Sequence, residues 1–552
     1  MSQQGAVQRL LSDQVELSES IQEPQTVYNR SRFEGLVLQD VIPQHKRVWY
    51  EYPHLVRLNF FLCSAILTNI TAGFDGSLLN GLQSLPAWNQ YFSYPEGGRL
   101  GTLSNAIIFG ELISIPLVPY ICEKYGRRKP IVWGCMIVVV GALFQGLALN
   151  YFMFALARFI LGFGLAMSGA ATPLFVVECA YPTQRGQMTS LILPAWNVGS
   201  FFAAIITYST FHLSNTNLSW RIPSILQGFF PILQSIVMMY APESPRWLVS
   251  QNRHDEAFSF LVNFHSDGDQ DSELVNFELA EITAAIEMEK VAKQSRWGVF
   301  FETQGMQHRL LIIVFLGILV QFSGNSMLSY YLPIVLTNMG IADAGKQLLI
   351  NLGSTVLCIT TGMTSGLQIE RIGRRSGFLV ALFMMTVMYC ILTWLSASNE
   401  QVDVRDVGLA YVTVGVVYIF QIFYHLMAPF AVTYMVEIVP FSMRSKATTL
   451  NHMLQHLTLL FDNFINPLAL NAWRWKFYLF YCFVLAGETL VIYNFFPETG
   501  GKGLEEIAVI FDDVMSTIPL QHEQYPEILG DINDFPTISV SRQENPRNSS
   551  SV

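Results

Sequence analysis

Apolar residues in this chain come in long unbroken blocks, without the alternation of half-buried strands. A block of roughly 20 residues can cross the hydrocarbon core of a bilayer as a helix. About twelve such blocks are present, at 57–82, 100–121, 130–149, 151–176, 188–211, 222–241, 308–333, 347–369, 377–396, 407–436, 447–470 and 476–496. A polar segment, 242–306, parts the sixth from the seventh and holds two amphipathic helical patterns, DEAFSFLVNF and SELVNFELAEITAAIEMEK. The expected protein is all-α and membrane-integral, with one six-helix bundle at 57–248 and a second at 307–498. A loop with amphipathic helices, 249–306, joins them. The arm 1–56 is polar and expected to be mostly disordered, and 499–552 reads as a helix followed by a disordered tail.

Composition supports a bilayer solvent. Hydrophobic residues make up 51% of the chain and charged residues only 13%, against about 25% charged in soluble proteins. The net charge of −10 carries little meaning, because acidic residues gather in the tails and in 250–305. The seven cysteines lack paired or metal-ligand spacing. Those in apolar runs (Cys63, Cys135, Cys358, Cys390) read as small buried hydrophobes. Residues 1–50 contain no apolar core of signal-peptide length, so the first span is expected to act as the targeting signal. HKR (45–47), KYGRRK (124–129), ERIGRR (370–375) and MRSK (443–446) fall on one side, which the positive-inside rule makes cytoplasmic. The opposite loops are poorer in Lys and Arg, although WRWK (473–476) is an exception. An even number of spans puts both termini in the cytosol and makes Asn217, in Asn217-Leu218-Ser219, an extracellular glycosylation acceptor.

The chain repeats itself. YGRRKP (125–130) recurs as IGRRSG (372–377), and VECAYPTQRG (177–186) as VEIVPFSMRS (436–445). In the second pair a Glu stands seven residues ahead of an Arg each time, Glu178 before Arg185 and Glu437 before Arg444. APESPRW (241–247) recurs loosely as FPETGGKG (496–503). Motifs in one order after the second, fourth and sixth spans of each half mean a duplicated bundle in parallel orientation. Such halves hold their substrate site between them near the midplane.

One stretch raises a separate question. GFDGSLLNG (73–81) places Asp75 inside the first span, where a carboxylate costs roughly 2.5–3.5 kcal/mol to insert. An intramembrane acid kept at that cost is a functional-site candidate. Glu111, Glu488, Asp462 and His425 are further ionisable groups in apolar runs, with no spacing that assigns them a task.

Taken in order, several motifs resemble the sugar porter family of the major facilitator superfamily from about Arg57 to Asp512. They are GFDGSLLNGLQ, EKYGRRKP, ARFILGFG, PLFVVECAYPTQRGQ, WRIPSILQ, PESPRWL, QFSGNSMLSYYLP, ERIGRR, VEIVPFSMRSKA and PETGGKGLEEI. The opening motif and the SGN-x-x-x-SYYL pattern look most like the fungal branch that includes lactose-permease-like proteins. The resemblance implies alternating access and, in branches with an acid in the first helix, proton symport.

It also places Arg158, in the fourth span, beside Asp75. Protonation of Asp75 would then release Arg158 and let tethered helices rearrange; the competing reading is a static helix–helix tie. The clusters Arg127, Arg128, Glu178, Arg185, Glu243 and Arg246, and in the second half Arg374, Arg375, Glu437 and Arg444, read as salt-bridge locks that favour the outward-facing state. Positive-inside orientation alone accounts for the arginines but not for the matched glutamates.

For the solute, Gln321, Asn325, Ser326, Tyr330 and Tyr331 in the seventh span are candidates, with Asn197, Asn351 and His456 beside them. Each is equally able to serve as a helix–helix hydrogen bond. The sequence departs from the hexose pattern at Leu193, Ser326, Cys358, Met427, Val432 and Leu457, a loss of polar and stacking groups that argues against glucose. No phosphate loop, metal-spaced His or Cys set, or nucleophile elbow is present, so neither an enzyme nor a cofactor is expected. The expected protein is a monomeric plasma-membrane symporter for protons and a sugar-like solute, with the bilayer and no nucleic acid as partner. A carrier or exporter of a non-sugar metabolite and a non-transporting nutrient sensor are the alternatives.

Overall fold

The computed structural model describes residues 41, 49–213, 216–292, 297–368, 373–401, 407–440, 443–500, 507, 510 and 511. Most of the terminal arm, the tail from 512 onward, the basic HKR stretch and Glu370 lie outside the described residues.

The first half contains α1 (Pro53–Gln83), α2 (Gly97–Ser114), α3 (Val118–Tyr125), α4 (Arg128–Gly146), α5 (Tyr151–Cys179), α6 (Ile192–Phe211), α7 (Leu218–Leu226) and α8 (Phe229–Tyr240). The connection holds α9 (Pro245–Ser250), α10 (His254–His265), α11 (Glu273–Ala292) and a single turn at Val299–Glu302. The second half runs through α12 (Gln304–Phe322), α13 (Asn325–Tyr330), α14 (Leu332–Asn338), α15 (Ala344–Gln368), α16 (Arg374–Gln401), α17 (Val407–Ile438), α18 (Arg444–Trp473) and α19 (Trp475–Phe495).

Among the described residues, nine helices are long and apolar enough to cross a membrane, and the bent pair α2–α3 makes a tenth. That pair turns by 50° between Pro116 and Pro119, each of which deletes a backbone donor and crowds the preceding turn. The remaining two of the expected twelve spans are α15 and α18, of which α18 is the more polar. Asn351 of α15 accepts from Asn80 of α1 at 2.9 Å, and α18 lies along α2, where Asn105 donates to the Leu460 carbonyl at 3.0 Å. These two helices line the seam between the halves, where hydrocarbon does not have to be satisfied.

Helix starts are set locally. Asn150 accepts from Met153 N at 2.8 Å to open α5, and Ser244 accepts from Trp247 N at 3.2 Å to open α9. The polar connection forms the two amphipathic helices expected of it. Phe260, Leu261, Leu274, Val275 and Leu279 are buried in one cluster with Leu55, Cys179 and Tyr181 at the base of the first half. Across the two helices, His265 Nδ1 lies 2.6 Å from Glu278 Oε2. Large apolar side chains such as Phe152, Tyr240 and Phe483 are 71–80% exposed, as expected of helices whose outer faces meet lipid. Cys63 and Cys390 belong to that exposed set. The expectation that they are buried is therefore corrected: an apolar run surrounded by lipid hides only one face of each helix in protein.

The seventh span breaks between α12 and α13. Gly324 has φ +83°, and a Cβ there would stand 2.3 Å from the Tyr389 hydroxyl, which donates to the Gly324 carbonyl at 2.7 Å. Only glycine takes this conformation without cost and leaves room for the tyrosine. The first span packs on α6 as tightly: a Cβ on Gly73 would lie 1.8 Å from the Trp196 carbonyl oxygen. Two backbones in contact carry Asp75 inward.

Replacing Gly73 with Val should therefore force α1 off α6, at a cost on the order of 3 kcal/mol or more. Fluorescence-detected size-exclusion of the tagged full-length chain should show loss of the monodisperse peak. A normal peak and melting temperature would mean that the two helices separate freely.

Candidate functional site

Asp75 is 2% exposed and Arg158 3%. Arg158 Nη1 and Nη2 reach Asp75 Oδ1 and Oδ2 at 3.5 and 3.4 Å, fork to fork but long. The guanidinium is aimed by its Nε, which donates to the Leu103 carbonyl of α2 at 2.9 Å. A shorter bond comes from Gln227, just after α7, whose Nε2 donates to Asp75 Oδ1 at 2.7 Å. The carboxylate thus ties α1 to α5 and to the broken sixth span at once. Burial and a neighbouring cation act in opposite senses on a carboxyl's hold on its proton, which is the balance a reversible proton site needs. Gln227 was not singled out from sequence, although it closes the WRIPSILQ motif.

The Arg–Glu clusters sit together at one end of each half. Arg127 grips Glu178 with Nε and Nη2, both at 3.0 Å, and Glu178 also accepts from Ser244 Oγ at 2.5 Å. Glu243 accepts from the backbone N–H of Arg127 at 2.8 Å and of Arg128 at 3.2 Å, so it caps α4 from a distant loop. The second half repeats this arrangement. Arg374 reaches Glu437 at 3.2 Å through Nε and 2.9 Å through Nη2, and Thr499 takes the place of Ser244, donating to Glu437 Oε2 at 2.7 Å. Glu498 accepts from the N–H groups of Arg374, Arg375 and Ser376 at 2.7, 3.1 and 3.3 Å.

Glu498 was missing from the expected set, yet the repeat of PES as PET places it opposite Glu243. Arg128 and Arg375 donate to the Ala241 and Tyr493 carbonyls at 2.8 and 2.6 Å. These ties join spans within one half. Arg444 Nε donates to the Val439 carbonyl at 3.1 Å, Arg246 is half-buried on α9, and the buried Nε of Arg185 has no hydrogen-bond partner among the described residues.

The expected solute groups divide. Ser326 donates to Asp462 and accepts from Asn466 at 3.2 Å, and the Tyr331 hydroxyl donates to the Asn463 carbonyl at 2.8 Å. Both are buried and occupied with fixing α13 to α18. His456 lies 3.3 Å from Glu111 across the seam. Asn325, Tyr330, Gln321 and Asn197 are nearer to open use. Asn325 accepts from Ser329 at 3.0 Å, Asn197 donates to the Cys358 carbonyl at 3.4 Å, and Tyr330 is partly exposed.

Around them stand further amides, of which Asn80, Gln83 and Gln421 were left unassigned by the sequence. Gln83 donates to the Tyr330 carbonyl at 2.9 Å, and Gln421 to Ser329 at 3.2 Å. Asn80 Oδ1, Gln83 Oε1, Asn197 Oδ1, Asn351 Nδ2 and Gln421 Oε1 are all buried without a hydrogen-bond partner among the described residues. Buried amides are rarely left so. Asn80 and Gln83 stand in GFDGSLLNGLQ, so the signal was present as a motif without a role.

A family model described as "Sugar (and other) transporter" matches residues 61–511. The chain belongs to that family of membrane transporters. It is 25% identical over 461 residues to the MFS-type transporter criB of Aspergillus cristatus, covering 83% of this chain and 94% of that protein. It is 26% identical to the MFS glucose transporter mfs1 of Aspergillus flavus, covering 82% and 89% of the two chains. The transporter also superposes on the inward-open xylose transporter XylE from E. coli with a TM-score of 0.68 and 20% identity, covering 82% of this chain and all of that one. The fold is accordingly the twelve-helix arrangement of the major facilitator superfamily.

Partial burial pushes the Glu498 carboxyl up, but the N–H donors of Gly500, Ser376, Arg375 and Arg374 outweigh it and hold the group below its usual range. A lowered folded-state value stabilises above the unfolded pKa of about 4.3 and is lost as pH falls through the folded value. Glu498→Gln should therefore lower the thermal midpoint at pH 7, by the equivalent of about 0.5–2 kcal/mol for a lost cap. The gap to the parent protein should close as pH drops below about 4.3. A gap independent of pH would show that the charge has no part in capping α16.

Proposed function

We propose that this transporter is a proton-coupled symporter that imports a hydroxylated, sugar-like solute across the plasma membrane by alternating access. The observation that carries the proton half is the buried Asp75, held at once by Arg158 and Gln227. When Asp75 takes a proton, the attraction to Arg158 ends, and the tie between α1, α5 and the sixth span slackens. Removing one partner of such a buried pair leaves the other charge uncompensated and costs about 3–5 kcal/mol, so proton binding carries enough free energy to change how these helices pack. The sugar half is supported by the unpaired amides of Asn80, Gln83, Asn197, Asn351 and Gln421, which offer donors and acceptors to a ligand rich in hydroxyls. The basic clusters support a cytosolic position for that end of the bundle and for both termini. The exposed Asn217 then faces outward as a glycan acceptor, and the clusters hold the spans of each half together.

A second reading, a carrier or exporter of a less hydroxylated metabolite, is favoured by a specific observation. Ser326 and Tyr331 are consumed by contacts to α18, and Leu193, Cys358, Met427, Val432 and Leu457 supply no amide or indole. Competition against labelled D-xylose or D-glucose by sugars, polyols and aromatic acids in a transporter-null host separates the two.

Asp75→Asn should abolish accumulation of the labelled solute against its gradient while leaving exchange between equal pools, and a protonophore should do the same to the parent protein. Accumulation by Asp75→Asn undiminished at every external pH would remove this carboxyl from coupling.

A further inference from the structure

Among the described residues, two ionisable side chains meet across the seam between the halves. Glu111 of α2 and His456 of α18 face each other with Oε2 and Nε2 3.3 Å apart. Glu111 lies 14 residues into α2, about 21 Å from its start at 1.5 Å per residue. On the same seam, nearer that start, Asn105 bonds the Leu460 carbonyl. The pair is thus the deeper of two tethers along these helices.

Its hydrogen count follows from geometry. His456 Nδ1 is 2.8 Å from the His452 carbonyl oxygen, which can only accept, so Nδ1 carries a hydrogen. Nε2 then meets Glu111 through one further proton, shared as N–H to carboxylate or as carboxyl O–H to nitrogen. Take that proton away and a lone pair faces a carboxylate oxygen. Moving the remaining hydrogen to Nε2 only transfers the repulsion to the His452 carbonyl. No arrangement of the deprotonated pair satisfies both contacts.

The surroundings make the site responsive to the rest of the machinery. Asp75 on α1 and Tyr330 on α13 both lie within electrostatic reach of Glu111. His452 lies within reach of His456, and Arg158 on α5 holds Asp75. Asp462, farther along α18, is turned to Ser326. The side chains of Glu111 and His456 are 20% and 28% exposed, so protons have access to them.

We propose that Glu111 and His456 form a proton-bearing latch between the two halves, closed while the shared proton is present and open when it leaves. The pair is a positioning device separate from Asp75, because Asp75 ties helices inside one half whereas the latch ties one half to the other. It rests on the reading of the chain as a carrier whose halves part and rejoin, and it does not require Asp75 to be the coupling acid.

Deuterium exchange of the full-length protein in lipid nanodiscs tests it without a known solute. Uptake is measured at pH 5.5 and pH 8, each corrected for intrinsic exchange with an unfolded control. Peptides from Gly97–Ser114 and Arg444–Trp473 should exchange at least about threefold faster at pH 8 in the parent protein. Glu111→Gln and His456→Gln should each remove the pH difference, since an amide keeps a neutral hydrogen bond that does not titrate. Asp75→Asn should retain it. A parent protein without the difference, or either latch variant with it intact, overturns the proposal. Loss of the difference in Asp75→Asn also overturns it, by assigning the response to the other acid. Should His456→Gln fail to fold, the near-isosteric Glu111→Gln decides alone. Accumulation by Asp75→Asn would sink the coupling role of Asp75 and leave this measurement unaffected.

Discussion

A polar group carried into a bilayer has to find its partner inside the protein, because lipid offers none. The buried side chains of this transporter are arranged around that constraint, and the strength of each contact depends on whether it lies within a half or between halves. Within halves, besides neutral bonds, there are charge-assisted and often doubled ties: Arg127 on Glu178 through two nitrogens, Glu243 and Glu498 on helix N-termini, Arg158 with Gln227 on Asp75. Between halves the contacts described are mostly single and neutral, such as Asn80 to Asn351, Gln83 to the Tyr330 carbonyl and Asn105 to the Leu460 carbonyl. Neutral bonds between amides and carbonyls exchange readily for water or a hydroxylated ligand, whereas a doubled ion pair does not. The same distinction that lets each bundle behave as one body leaves the surface between them free to open.

Much of this was legible in the sequence, but unevenly. Internal repetition exposed the duplicated bundle, and the paired motifs located Arg127, Glu178, Arg374 and Glu437 before any geometry was known. Glu498 was equally readable, since PES and PET occupy matching places after the last span of each half. The second copy keeps the glutamate but lacks the arginine of PESPR. The N-cap role of both glutamates lay beyond sequence: they bond backbone N–H groups more than a hundred residues away, and backbone donors leave no residue signature.

The seam was the least legible part. Pairings such as Glu111 with His456, or Asn105 with a carbonyl of α18, join residues hundreds of positions apart at spacings set by how two bundles dock. No local period encodes that. Polarity itself was the available sign. α18 carries Asn451, His456, Asp462 and Asn466 along one span, and a helix that polar yet long enough to span must spend its polarity on protein or water. Reading Ser326, Tyr331 and His456 as solute groups followed from their type. The structure instead spends their hydrogen bonds on helix contacts, because a broken span such as α13 needs side chains to re-anchor it after the turn at Gly324.

That expenditure bears on what the carrier can recognise. With the Ser326 and Tyr331 hydroxyls engaged with Asp462 and Asn463, there remain several buried amides, each bonded on one side and open on the other. Amides in fixed orientation discriminate by placing donors and acceptors at set positions, where hydroxyls rotate to suit. Four of the unpaired groups, Asn80, Gln83, Asn351 and Gln421, come from both halves, and Gln83 and Asn80 bond across the seam itself. A ligand that satisfies their free atoms therefore binds side chains that also make contacts between the halves. The amides with unpaired atoms and the contacts between the halves thus fall on the same few side chains.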